Sequence, residues 1–214
     1  KNGKEYDLPN DSDLKAIKDS EELLKNKWDL FLKKDLIPLE EMPISDVRSA
    51  KYLKYWYRIL NPRQLLFFVR LTEIIREYGD YLKNKTEGNI EEEYVKAITT
   101  YLSFILAKHI DYNCRLASWN RPNQQISDAV RTRGITLMWD HTEVNPFVNT
   151  SGSLVGIKKG IKNSLRFSIE KLQNGKNIKI ENKSIFDSEL KSSIIVTDPP
   201  YFNDVQYAEL SELF

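Results

Sequence analysis

A β-branched run, Ile194-Ile195-Val196-Thr197, leads straight into Asp198-Pro199-Pro200-Tyr201 near the end of the chain. The apolar run reads as a short buried strand. Two consecutive prolines cannot prolong it, because each locks φ and lacks an N–H for the sheet ladder. A stiff turn must follow, flanked by an acid and an aromatic. In open α/β sheets, ligands bind in crevices at the carboxyl edge of the strands. The last residues should therefore carry a piece of α/β sheet with a site at its edge.

Such a turn gathers two acceptors and a flat ring. The Asp198 carboxylate and the Pro199 carbonyl can accept the two N–H bonds of an exocyclic amine on a base. That localises a lone pair otherwise delocalised into the ring, so that it can attack a methyl sulfonium carbon. Pro200 keeps the loop rigid, and Tyr201 offers a face on which a base rotated out of the helix can stack. Neither a metal nor a covalent nucleophile is needed. The bland alternative is a strand-to-loop turn whose Asp caps a neighbour and whose Tyr packs in the core. The full tetrapeptide directly after a β-branched strand favours catalysis.

The remainder of the chain bounds this reading. Its 214 residues suffice for one domain or two small ones. A net charge of +1 gives the whole molecule no strong polyanion signature. The single cysteine, Cys114, excludes internal disulfides and any multi-thiolate zinc site, and fits a reducing, cytoplasmic setting. No apolar run approaches the roughly 18 residues of a membrane span, and no signal peptide is expected. The chain starts at Lys1 and stops at Phe214 inside an expected helix, so a piece of a longer protein is expected.

Helices dominate the pattern until late. Asp11-Ser12-Asp13 precedes Leu14, Ile17, Leu24, Trp28, Phe31 and Leu32, which share one helical stripe. Pro38 and Pro43 bracket a loop. Asn61-Pro62-Arg63-Gln64 has an N-cap, a proline at the first helical position and Gln three residues on. The helix it opens is expected to end near Gly79. Gly88-Asn89 starts another, with Glu91, Glu92 and Glu93 complementing its dipole, running towards Trp119. Both read as core helices. Pro122 closes that segment, and a short helix is expected over 124–132.

The stretch 138–147 has no regular period. His141 and Glu143 flank one residue, but His109 and Cys114 complete no ligand set with them, so no metal is expected. Trp139-Asp140 before Asn145-Pro146 reads as an anchor for the loop. Ser151-Gly152-Ser153 reads as flexible, ahead of a helix over Leu154–Leu172. A turn at Asn174-Gly175 precedes a strand over 177–182, with Ile178 and Ile180 on one face, and 204–214 begins a helix. Lys158, Lys162 and Arg166 recur every four residues and so share a helical face able to hold phosphates. An ordinary solvated helix surface fits them equally well.

The segment from Ile194 through Asp198-Pro199-Pro200-Tyr201 to Tyr207-Ala208-Glu209-Leu210-Ser211 resembles the DUF1156-containing adenine-specific DNA methylases, whose DPPY motif is followed by a similar Tyr-Ala-Asp-Leu-Ser run. Asn61-Pro62-Arg63-Gln64-Leu65-Leu66, and Trp139-Asp140-His141-Thr142-Glu143-Val144-Asn145-Pro146-Phe147, fit the same family in the right order. His141 stands where an aromatic is expected. The resemblance covers the chain from about residue 36 onward.

The resemblance implies a Rossmann-type enzyme that binds S-adenosylmethionine through a glycine-rich Phe-x-Gly segment. No such segment occurs here, because Gly152 and Gly156 lack the strand context. The expected fold is therefore mainly α with a small α/β portion: a helical insertion, residues 1–150, that by analogy recognises the target. Residues 151–214 would form a partial catalytic subdomain, part of a Rossmann-like sheet carrying the DPPY strand and loop. Asp198, Pro199, Pro200 and Tyr201 would be catalytic, DNA the partner through Lys158, Lys162 and Arg166, and the rest of the methyltransferase domain a second partner. The alternatives are a nucleic-acid-binding or protein-interaction module with a structural turn, and methylation of RNA or another amine.

Overall fold

The computed structural model describes residues 7–42, 48–85, 92–129, 137–172, 181–187 and 194–198. Helices α1 (Asp11–Asn26), α2 (Trp28–Lys33), α3 (Arg48–Leu53), α4 (Pro62–Lys85), α5 (Glu92–Tyr112) and α6 (Leu154–Leu172) make up most of it. A short 3-10 turn, Trp56–Ile59, joins α3 to α4. Strands β1 (Ser118–Asn120) and β2 (Gln125–Ser127) form one antiparallel hairpin. The fold is mainly helical with a small sheet.

α1 starts where its cap allows. The Asn10 side chain accepts from the Asp13 N–H, and the Asp13 carboxylate accepts from the Asn10 N–H in return. The apolar stripe does not remain on one helix, because α1 closes at Lys27 and α2 sets off anew. Leu24 and Phe31 are buried, whereas Leu14 and Ile17 remain partly exposed.

α4 opens on the capping box its sequence spells. The Asn61 Oδ1 accepts from the Gln64 N–H at 2.8 Å, and the Gln64 Oε1 accepts from the Asn61 N–H at 2.9 Å. The helix does not stop at Gly79. That residue is buried, and a Cβ there would lie 3.0 Å from Thr99 Cγ2 on α5. The glycine lets two long helices approach each other and leaves their hydrogen bonds intact. Further along α4, Glu73 is buried and paired with Lys34, which ties the end of α2 to α4, and with Arg70 on α4 itself. These cations hold its carboxyl below the usual range, the Lys34 hydrogen bond most of all.

α5 ends at Tyr112, short of Trp119. Asn113 leaves the helix and Arg115 N–H donates to the Ile59 carbonyl at 2.7 Å, which redirects the chain into β1. The helix expected over 124–132 is replaced in part by β2, with Trp119 opposite Ile126. Asn120 Oδ1 accepts from the Asn123 N–H, and Gln124 adopts φ 48°, so the Asn-Arg-Pro-Asn stretch turns the chain back on itself. Hairpin pairing buries Ile126 in the core.

Trp56, Ile59, Val69 and Ala117 are each 0% exposed and, with Phe31, Met42 and Cys114, form the centre of that core. α6 packs against α5. The turn before it is well held. Gly152 and Ser153 are buried, Gly152 has φ 77°, and a Cβ on it would meet Tyr112 at 2.9 Å. Ser153 Oγ accepts from the Gly156 N–H at 3.0 Å and caps α6. The expected flexible stretch is thus a fixed turn between 148–150 and α6.

Candidate functional site

Of the four motif residues, Asp198 is described and Pro199, Pro200 and Tyr201 lie outside the described residues. So do most of the strand expected over 177–182 and the helix over 204–214. Residues 194–198 form no strand and are exposed, with Ile194 at 79%, Ile195 at 71% and Val196 at 89%. This corrects the expectation of a buried strand. A strand exists through its ladder, and no described residue pairs with this segment.

The basic face is present as a helical face. Lys158, Lys162 and Arg166 are all exposed on α6, while Ile157 on another side is buried against the body. Among the described residues no carboxylate forms an ion pair with these three.

A cleft of about 510 Å³ lies elsewhere, between α4, α5 and the loop at 143–147. The loop is anchored by hydrogen bonds and an ion pair. Arg63 Nε donates to Glu143 Oε1 at 2.7 Å, Arg63 Nη2 donates to Oε2 at 3.1 Å, and Asn61 Nδ2 donates to Oε2 at 2.9 Å. The Glu143 carboxylate holds the Arg63 guanidinium above its ordinary range. Val144 N–H donates to Asn113 Oδ1 at 2.7 Å, and Phe147 N–H to Asn145 Oδ1 at 2.9 Å. Trp139, expected to anchor this stretch, is 99% exposed, and Asp140 beside it is exposed too. Backbone bonds from Met138 to Arg115 and from Thr142 to Ala117 hold that part instead.

With both Glu143 oxygens engaged, His141 and Glu143 serve as loop residues. Among the described residues no group of three His, Cys, Asp or Glu side chains could hold a metal. Burial lowers the pKa of His141, with Arg115 adding to the effect. The Cys114 thiol is buried in the core and pushed up to about 11 by desolvation, which makes it a packing residue and a poor nucleophile.

Inside the cleft, His109 is buried and its ring packs on Phe67 at 4.9 Å between centroids. Desolvation pushes its pKa down, against the opposing hydrogen bond to the Gly152 carbonyl, so the neutral imidazole is favoured. Asn113 Nδ2 lies 3.2 Å from His109 Nδ1 and donates to the Gly152 carbonyl at 3.0 Å. Phe147 meets Phe67 edge-on at 6.2 Å. Gln64 is 5% exposed, and among the described residues its Nε2 has no hydrogen-bond partner. The sequence marked Gln64 as a cap and Glu143 as part of a loop. Nothing in their spacing, 79 residues apart, announced that they share a cleft.

No family model matches the sequence, and neither does any curated protein or solved structure.

Proposed function

We propose that this chain is part of an S-adenosylmethionine-dependent DNA methyltransferase that acts on the exocyclic N6 amine of adenine. The observation that carries the reading is Asp198-Pro199-Pro200-Tyr201 placed directly after a β-branched run. In this reading Asp198 and the Pro199 carbonyl take the two amine protons in hydrogen bonds, Pro200 keeps them in place and Tyr201 stacks on the base.

The described glycines do not fit the cofactor. Gly156 lacks a side chain because a Cβ would lie 2.4 Å from the Thr150 carbonyl oxygen, and Gly152 faces Tyr112. Both serve the turn before α6, and no strand leads into them. Cofactor binding is accordingly assigned to residues outside this chain, in the remainder of a methyltransferase domain. The exposed face of Lys158, Lys162 and Arg166 is assigned to DNA phosphates. The same face is what a nucleic-acid-binding module with a purely structural turn would show.

The two readings separate on one measurement. In the full-length protein, Asp198→Ala should lower methyl incorporation into duplex DNA by at least about 100-fold, the loss of roughly 3 kcal/mol of transition-state stabilisation. Tyr201→Trp should retain activity and Tyr201→Ala lose most of it, because stacking needs a ring and not a hydroxyl. Near-normal turnover in Asp198→Ala would end the catalytic assignment and leave the binding module.

A further inference from the structure

We propose that the surface formed by Tyr55, Tyr57, Arg58, Arg115 and Trp139 binds single-stranded nucleic acid, with a base stacked on Trp139 and phosphates on the two arginines. It shares no residue with the motif at 198–201 or with the basic face of α6, and stands independently of the methyltransferase reading. Local sequence builds its first half. After α3 the chain turns at Lys54, which takes φ 64°, a conformation uncommon outside glycine. Met42 N–H donates to the Lys54 carbonyl at 2.8 Å and Trp56 N–H to the Glu40 carbonyl at 3.1 Å, so the turn is clamped. Trp56 and Ile59 drop into the core at 0% exposure, which leaves Tyr55, Tyr57 and Arg58 at the surface. The two tyrosine rings stack at 5.9 Å between centroids, and the Arg58 guanidinium lies 5.7 and 5.8 Å from them. Arg58 Nε donates to the Tyr57 hydroxyl oxygen at 3.2 Å, which fixes the side chain in place.

Tertiary contacts add the second half. Arg115, just past α5, donates from Nη1 to the Arg58 carbonyl at 3.3 Å, and its own carbonyl accepts from Met138 N–H at 2.9 Å. Trp139 is thereby held next to the arginine pair. Its ring is 99% exposed although the backbone on either side is hydrogen-bonded, at Met138 and at Thr142. A bare indole on a fixed backbone is a stacking face for a base. Lys54 is paired with Glu41 at 3.4 Å, but among the described residues no carboxylate pairs with Arg58 or Arg115. Their planar forks match phosphate oxygens. A duplex keeps its bases stacked on one another and offers none to Trp139, so the fitting partner is single-stranded. Asp140, exposed beside Trp139, opposes the attraction in part and keeps the affinity moderate.

The probe is an oligothymidylate of about 12 nucleotides, within the roughly 4–16 that single-strand sites span. Added to the 214-residue chain at low salt, it should quench tryptophan emission saturably, with a dissociation constant below about 100 μM. Trp28, Trp56 and Trp119 are buried or half-buried, so Trp139→Phe should remove most of the quenching. That variant should keep most of the affinity, read by anisotropy of a labelled strand, because phenylalanine still stacks. Trp139→Ala leaves the core untouched and should weaken binding roughly tenfold. Arg58→Ala should lower the log–log salt slope by about 0.7, one phosphate contact on a single strand. Asp198→Ala, and the Ala variant of Lys158, Lys162 and Arg166, should leave the quenching at saturation unchanged, which separates this surface from the proposed catalytic turn and the α6 face. No saturable quenching, quenching by a duplex as deep as by the single strand, or undiminished affinity in Trp139→Ala would overturn the proposal. So would a blue shift of the emission on phosphatidylserine vesicles with no response to the oligonucleotide, the mark of an aromatic at a membrane interface.

Discussion

Gly156 and Gly160 are one helical turn apart on α6 and have opposite surroundings. A Cβ at 156 would lie 2.4 Å from the Thr150 carbonyl oxygen, whereas one at 160 meets nothing within 4 Å. Gly156→Ala should therefore destabilise the chain by about 1–3 kcal/mol through overpacking. Gly160→Ala should stabilise it by up to about 1 kcal/mol, because only helix propensity changes. Urea titrations followed by circular dichroism would compare the two, and equal effects would contradict the contact. His109 makes a second residue-scale prediction. Burial lowers its folded pKa below the ordinary value of 6.5, so the unfolded chain binds the proton more readily. Its contribution to stability is then complete above about pH 6.5 and declines as the pH falls below that value. His141 acts with the same sign. Thermal midpoints measured between about pH 7.5 and 5 should fall with acid, and less steeply in His109→Gln. An identical slope in that variant would show that His109 is not the titrating group.

At the scale of elements, local signals decided starts better than stops. Asn61-Pro62-Arg63-Gln64 marks the first turn of α4 because cap, proline and reciprocal glutamine all act within four residues. Replacing Asn61 with Ala should cost about 1 kcal/mol, with up to about 2 since Asn61 also donates to Glu143. For a chain this size that is a drop of roughly 2–4 °C in thermal midpoint per kcal/mol. A midpoint within error of wild type would show that the box carries no weight. Stops were legible only where the chain itself enforced them. Gly79 reads as a terminator, yet its role is a contact with Thr99 on a different helix. The 124–132 stretch has the composition of a helix, but Gln125–Ser127 pairs with Ser118–Asn120 because the turn brings Ile126 over the core. α6 matched its expected bounds, since its serine cap and amphipathic run are both local.

For the whole molecule, a net charge of +1 conceals the exposed run on α6. If Lys158, Lys162 and Arg166 hold phosphates, replacing all three with Ala should weaken duplex binding to a similar degree for every sequence. The log–log salt dependence should flatten by about one unit for each lost contact, with base preference unchanged. Fluorescence anisotropy with a labelled duplex at several salt concentrations measures it. An unchanged slope would return the face to ordinary solvated surface.

The sequence by itself determined the helical character of the chain, the capped start of α4, and the bounds and basic face of α6. All of these depend on residues within a few positions of one another, where capping geometry and helical period act. Tertiary structure decided the rest. Gln64, His109 and Glu143 come from α4, α5 and a loop, and share a cleft only because the helices pack at Gly79 and Asn113 pins the loop. Residues 194–198 are β-branched enough for a strand, but a strand needs a neighbouring strand to accept its hydrogen bonds, and no period within the segment can supply one.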